Sequence, residues 1–553
     1  MSQNRSTRFI PLIIALSVVV GIVLGTFYAH HFSGNRLNII NTSSNKLNDL
    51  LHIIDDQYVD TVDLSDLVER AMPQILGELD PHSVYFPADD SQQATDDLAG
   101  SFSGIGVQFT IREDTIHINN VIKGGPSEKV GLLAGDRIIK VDGENFTGEI
   151  VTNTEVQRRL KGEKGSQVKL DVLRRGQKDL LTFTVTRGDI PVNSIKASYM
   201  IDKEIGYIQI EKFGETTYAE LLVALAKLSQ ANFKGLIIDL RGNTGGYMGA
   251  AIQMVNEFLP ANRLIVYTQG RKSPRQEYKS DGRGSYQDLP LAVLVDEASA
   301  SASEIFSGAI QDNDRGMVVG RRSFGKGLVQ EQVEFGDHSL LRLTIARYYT
   351  PSGRCVQKPY KKGHDEDYEM DLLTRYQRGE FFSEDSIKQT GEEYETSIGR
   401  KIYGGGGITP DYFVPQDTTN YTSYFRMANN QGLIIQYAYE YTDDNRQELN
   451  KYQTYEELQK FLTKKNIVDK FANYAETKGL KRRNLMLQKS IKLFERALYG
   501  NIIYIMLDDE EYAKYINESD PTVLKALDLF KTNHIWPQAP TPEEKKTTGK
   551  QSK

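Results

Sequence analysis

The hydrophobic pattern changes several times along the chain, and each change marks a segment. From Phe9 to Phe32 there is no Asp, Glu, Lys or Arg, and Ile10–Tyr28 is almost wholly apolar. That run is long enough for one helical pass through a bilayer core. Arg5 and Arg8 precede it, so the positive-inside tendency keeps the N-terminus cytoplasmic and exports the remainder of the chain. The run exceeds a usual signal-peptide core, and no A-x-A site follows in Tyr28–Ala29–His30–His31, which favours an anchor over a cleaved signal. The expectation is a lipid-bilayer contact through residues 9–31, with the rest of the chain on the periplasmic or extracytoplasmic side of a cell envelope.

After this anchor (residues 1–34), residues 35–100 read as a helical region. Between 64 and 79 the apolar positions 64, 67, 68, 71, 72, 75, 76 and 79 form one helical face. Asp80–Pro81–His82–Ser83 then signals a turn. Residues 101–188 switch to short β-rich runs, Gly106–Ile111, Thr115–Ile122, Asp136–Val141 and Val168–Leu173, punctuated by Gly and Asp. Residues 190–415 alternate buried strand candidates with helices. Leu236–Leu240 and Leu291–Val295 are continuous apolar runs that each lead into a Gly- or Ser-rich turn, a layered α/β pattern. Residues 416–536 return to amphipathic helix, as in Tyr455–Leu462 and Ser490–Leu498, and 537–553 reads as a disordered tail. The fold class is multidomain α+β.

Composition narrows the chemistry. The 553 residues suit several domains, and 39% hydrophobic with 25% charged residues is an ordinary globular mix. The net charge of -7 argues against a nucleic-acid partner. A single cysteine, Cys355, excludes an intrachain disulfide and Cys-rich metal sites, and there is no H-E-x-x-H. His364–Asp365–Glu366–Asp367 reads as a solvated acidic loop; neither a metal nor a cofactor is implied.

Two constellations carry chemistry. Gly104–Ile105–Gly106–Val107 sits at the mouth of a strand, where glycines let backbone N–H groups converge on a carboxylate. With Gly124–Leu132 and Gly135–Gly143 downstream, the series resembles a PDZ domain, which takes an extended peptide C-terminus by β-augmentation. The second is Asp296–Phe306, with serines at 299, 301 and 303 before a helix whose apolar side includes Ile305, Phe306, Ala309 and Ile310. Serines there serve as helix caps, or one is exposed as a nucleophile beside free N–H groups that stabilise developing negative charge. Twenty-five residues beyond Ser301 is Lys326, flanked by glycines, with Gln330 able to share its face in a helix or a strand. Upstream, Asp239–Gly246 offers another strand-to-glycine turn able to donate an N–H.

In this order and spacing the segments resemble the S41 family of C-terminal processing (tail-specific) serine proteases, across roughly residues 45–415. Leu79–Ser83, Tyr348–Arg354 and Gly404–Asp411 belong to the resemblance. It implies a ClpP/crotonase-like core with an embedded PDZ domain, Ser301 as nucleophile, Lys326 as general base and Gln330 as its orienting residue. Ala302 and either Gly245 or Gly246 would donate to the oxyanion, and Gly104–Val107 would bind peptide. Substrates would be proteins with accessible, apolar C-termini. Arg241–Gly242–Asn243–Thr244 departs modestly from the family turn, and an acidic, Tyr-rich insertion occupies about 358–398. The region after 416 lies outside the shared core and is a candidate for an adaptor or self-association.

A lysine base must be neutral, yet with a pKa of about 10.4 only roughly one in 2,500 is neutral at pH 7. Burial in an apolar, carboxylate-free pocket, supplied by Phe324, Leu328 and Val329, would lower that pKa. Three rival readings are weaker. A Ser/His site would use His82 or His338, neither of which has the context of Lys326. Crotonase-type CoA chemistry is disfavoured by the Ser/Lys pair and the PDZ insertion. A catalytically silent, membrane-tethered PDZ scaffold would fit better if Ser301 or Lys326 were missing.

Overall fold

The computed structural model describes residues 35–540, apart from 92–94, 96–99, 364 and 390. The anchor expected within 9–32 and most of the tail expected from Pro537 lie outside the described residues, among which no helix is long and apolar enough to cross a membrane. Two units divide at Leu76/Gly77. The first contains the helix Asn35–Gln57 and the start of Leu64–Gly77. The second helix begins where Asp63 Oδ1 accepts the Ser65 N–H at 2.9 Å, an N-cap that satisfies a donor the helix leaves unpaired.

In the second unit, residues 107–186 form an antiparallel sheet, with neighbours in the order Val107–Arg112, Thr115–Val121, Arg137–Val141, Gln167–Leu173 and Leu181–Thr186. Alternation explains its single buried face: Val168, Leu170 and Val172 point inward with Ile116, Ile138 and Val156 of the helix Asn153–Leu160. Ser101–Gly104 pairs with Gly188–Pro191, so the entering and leaving strands are tied together. Val107–Arg112 pairs with one strand only, Thr115–Val121, which leaves its other edge open among the described residues.

The second domain is built on a six-stranded sheet ordered Ile195–Met200, Ile205–Ile210, Gly235–Asp239, Leu291–Val295, Met317–Gly320, Tyr412–Phe413. The first pair is antiparallel and the rest are parallel. Every residue of Gly235–Asp239 and Leu291–Val295 is buried, as expected of parallel strands covered on both faces. Leu236 and Ile238 pack against the helices Thr217–Gln230, Met248–Asn256 and Ala302–Asp312. Ile237 and Leu294 face the other way, onto Val523, Ala526 and Leu529 of the helix Pro521–Lys531. The last helix of the C-terminal region therefore completes the burial of the central sheet. A second sheet pairs Leu340–Tyr349 with Val84–Phe86, Leu264–Gln269 and Leu328–Glu334.

The helices from Ser423 to Met506 have a core of their own, including Phe425, Leu458, Phe471, Phe494 and Ile502. They are more than solvated surface helices. Their Tyr439 ring lies 4.2 Å from the Arg112 guanidinium of the first sheet. The 358–398 insertion is also folded: Arg375 and Arg322 meet the buried Glu380 at 2.8 and 2.7 Å, and Arg375 donates to Ser323 O at 3.0 Å.

Candidate active site

Three adjacent parallel strands deliver the site. Asp239 pairs with Leu294 and Val295 with Gly320, so Gly235–Asp239, Leu291–Val295 and Met317–Gly320 end at one edge of the sheet. From them leave the glycine turn, the serine turn and the lysine segment, at the carboxyl ends where open α/β sheets place their ligands.

In the serine turn the three serines have different fates. Ser299 and Ser303 are fully buried, and their hydroxyls donate to Leu240 O and Asn243 O, each at 2.8 Å. Ser301 is partly exposed and stands at the N-cap of Ala302–Asp312 with φ 56° and ψ -112°. For a residue with a side chain that backbone is strained, and such strain concentrates at functional sites. The turn holds it: Ser301 O accepts from the N–H groups of Glu304 and Ile305, both at 2.9 Å.

The glycine turn is stitched to the serine turn. Asn243 O accepts the Ala300 N–H at 3.0 Å, while Asn243 Oδ1 accepts the Gly245 N–H at 2.8 Å. Gly245, at φ +107°, lies so close that a Cβ on it would stand 2.7 Å from Ser301 Cβ. At its root Arg241 is clamped between Asp239 (2.6 Å) and Asp520 (2.8 Å), the latter from the C-terminal region.

Lys326 lies in an irregular segment before Leu328–Glu334, in neither helix nor strand. Two buried side chains fix it relative to Ser301. Glu304 accepts four hydrogen bonds: from the N–H groups of Ser301 (2.9 Å), Lys326 (2.8 Å) and Gly325 (2.8 Å), and from the Ser323 hydroxyl (2.5 Å). The Tyr348 hydroxyl lies 3.1 Å from Ser301 O and 2.7 Å from Lys326 O. Desolvation pushes the Glu304 carboxyl up to about 7.

Lys326 Nζ donates to Gln330 Oε1 at 3.2 Å, and Gln330 Nε2 donates in turn to the carbonyl of His82. Burial, then the positive charge of Arg342, hold the Lys326 pKa below its ordinary value. The surroundings differ from a carboxylate-free pocket: Glu304 and Asp80 both pull the pKa upward against these effects. Leu328 is buried as anticipated, whereas the Phe324 ring carries the ammonium of another lysine, Lys358, at 3.9 Å. Asp80 organises the turn that presents His82, accepting from the N–H groups of His82 and Ser83 at 3.0 Å each.

Ser301, Ala302, Gly245, Lys326 and Gln330 thus converge. Gly104–Val107 belong to the other sheet's strand mouth. There Gly106 takes φ +76°, Ile105 is buried, and Gly106 O accepts the Ile122 N–H at 3.0 Å. The roles of Glu304, Tyr348 and the His82 carbonyl escaped sequence reasoning. Only Glu304 left a signal, as the acidic residue three beyond Ser301 in a capping-box pattern. His338 is exposed and pairs with Glu334. Among the described residues there is no cluster of three or more His, Cys, Asp or Glu able to hold a metal.

Three segments of the chain resemble known families. Residues 204–370 match peptidase family S41, 103–186 the PDZ domain, and 424–508 a family of unknown function, DUF8443. A carboxy-terminal-processing protease of Bartonella bacilliformis is 36% identical over 318 residues, covering 56% of this chain and 72% of that protein. The carboxy-terminal processing protease CtpB of Bacillus subtilis is 34% identical over 316 residues, 57% of this chain and 65% of that one. Among solved structures, the photosystem II D1 C-terminal processing protease is 28% identical, with a TM-score of 0.32, over 56% of this chain and 88% of that one. The chain belongs to peptidase family S41. It is a serine peptidase of the C-terminal processing kind and carries a PDZ domain.

Proposed function

We propose that Ser301 and Lys326 form the catalytic dyad of a membrane-anchored endopeptidase that takes exported proteins by their C-terminal tails. The observation that carries this is the shared clamp of Glu304 on the Ser301 and Lys326 N–H groups, which fixes nucleophile and base on one carboxylate oxygen. Lys326 in its neutral form takes the Ser301 proton as Oγ attacks the scissile carbonyl. It then gives that proton to the leaving amine, and activates water to hydrolyse the acyl-enzyme. Gln330 orients the amine. In this conformation Lys326 Nζ is hydrogen-bonded to Gln330, and it must turn a lone pair to Ser301 Oγ to complete the dyad.

The Ala302 N–H, at the first position of its helix, is one oxyanion donor. Since the Gly245 N–H is spent on Asn243, Gly246 is the second. The open edge of Val107–Arg112, beside Gly104–Val107, takes the tail as an added strand. The apolar run Ile10–Tyr28 behind Arg5 and Arg8 supports a single-pass anchor with the peptidase outside the cytoplasm. A serine-directed phosphonate tests the dyad: labelling should map to Ser301 and slow at least tenfold in Lys326→Ala. Equal labelling of that variant would remove lysine as base. Extraction of the full chain from membranes by alkaline carbonate would remove the anchor.

A further inference from the structure

The 358–398 segment, whose first residues fall within the S41 match, reaches the surroundings of the catalytic lysine. Its short helix Asp365–Glu369 buries Tyr368, whose hydroxyl lies 2.8 Å from His82 Nε2, with the two rings edge to face at 5.2 Å. Gln357 Nε2 donates to the same hydroxyl at 3.4 Å, and Gln357 Oε1 accepts the Gly327 N–H at 2.8 Å. A closed circuit results. Lys326 donates to Gln330, Gln330 donates to the His82 carbonyl, His82 meets Tyr368, and Gln357 links Tyr368 back to Gly327, the residue after the lysine.

Burial keeps Tyr368 protonated, and burial with the nearby Lys326 charge holds His82 neutral, with a pKa of about 4. Asp80 opposes this and Lys358 reinforces it. A neutral imidazole carries one N–H, so Nε2 accepts from the tyrosine hydroxyl when the proton is on Nδ1 and donates to it when the proton is on Nε2; the hydroxyl also accepts from Gln357. Tyr368 is held from behind: the Lys358 ammonium lies 4.0 Å from its ring centre, 3.1 Å from its carbonyl and 3.2 Å from Asp371.

We propose that Tyr368 is a positioning residue for catalysis: by anchoring His82 it fixes the Gln330 amide with its oxygen, and not its NH2, toward Lys326. A reversed amide would donate into the lone pair that must receive the Ser301 proton. This rests on Lys326 being the base.

The test uses the full chain and an unfolded protein substrate, comparing wild type, Tyr368→Phe, Gln330→Ala, the double variant and Lys326→Ala. Tyr368→Phe, which keeps the ring, should lower kcat about tenfold. KM and the acid limb of the pH profile should stay in place, because the lysine remains as buried as before. In the Gln330→Ala background the same change should alter kcat by less than about twofold, since the path runs through that amide. Wild-type kcat in Tyr368→Phe, or an undiminished loss in the Gln330→Ala background, would overturn the proposal. So would a loss accompanied by an alkaline shift of the acid limb, which would mean that water had entered the lysine site. Wild-type turnover in Lys326→Ala would instead remove the underlying base assignment, whatever Tyr368→Phe does.

Discussion

Glu304 Oε2 accepts the main-chain N–H of Lys326 at 2.8 Å and that of Ser301 at 2.9 Å, so one oxygen sets the spacing between the two residues. The other oxygen takes the Gly325 N–H and the Ser323 hydroxyl. Glu304→Gln replaces one oxygen by an NH2 facing two donors, leaving buried groups unpaired at about 1–3 kcal/mol each. The expected outcome is a folded protein whose kcat falls at least a hundredfold with little change in KM. Circular dichroism and steady-state kinetics on the same preparation check it.

The same carboxyl shapes the pH dependence. Burial raises it from an ordinary 4.5 to about 7, while Lys326 is shifted downward. As pH falls, Glu304 gains a proton that sets an O–H against one of its four donors, and Lys326 gains one that removes the base. The acid limb of kcat/KM should therefore be steeper than a single ionisation allows. A single-proton limb in wild type would contradict the clamp. For stability the sign is opposite. A carboxyl raised in the folded state binds its proton more tightly there, so its contribution is full below about 4.5 and lost as pH rises through about 7.

Gly245 admits no side chain. A Cβ there would stand 2.7 Å from Ser301 Cβ and 2.8 Å from Ala300 O, at a φ of +107°. Gly245→Ala should abolish turnover while shifting Tm by only a few degrees, since the clash is confined to two loops. A Gly245→Ala enzyme with more than about a tenth of wild-type kcat would show that the two turns do not have to be this close.

Much of this arrangement was legible in the chain. Leu236–Leu240 and Leu291–Val295 announced buried strands because only Asp239 breaks their apolar runs, and each stops at the turn that carries chemistry. Which of Ser299, Ser301 and Ser303 is free was not legible from the pattern. It depends on Leu240 O and Asn243 O, contributed by a turn some sixty residues earlier. His364–Asp367, just before Tyr368, read as a solvated acidic loop because its residues are charged, and only the long-range contact of Tyr368 with His82 reveals the burial of that ring. The C-terminal helices read as surface elements for a related reason. A charged stripe shows one face of Pro521–Lys531, but not the sheet that its Val523, Ala526 and Leu529 cover.

That coverage is itself testable. Leu529→Ala removes a fully buried side chain from the sheet-facing side of the helix and should cost about 2–5 kcal/mol. Urea denaturation should show a lower midpoint than wild type. An unchanged midpoint would mean that the last helix adds little to the folding of the core.

The most direct test of the dyad is cleavage of an unfolded reporter ending in an apolar tail by wild type, Ser301→Ala and Lys326→Ala, beside the same reporter ending in Asp-Asp. Cleavage by wild type alone, faster on the apolar tail, is the predicted result. Turnover that survives in Ser301→Ala or Lys326→Ala would contradict the assignment of nucleophile and base.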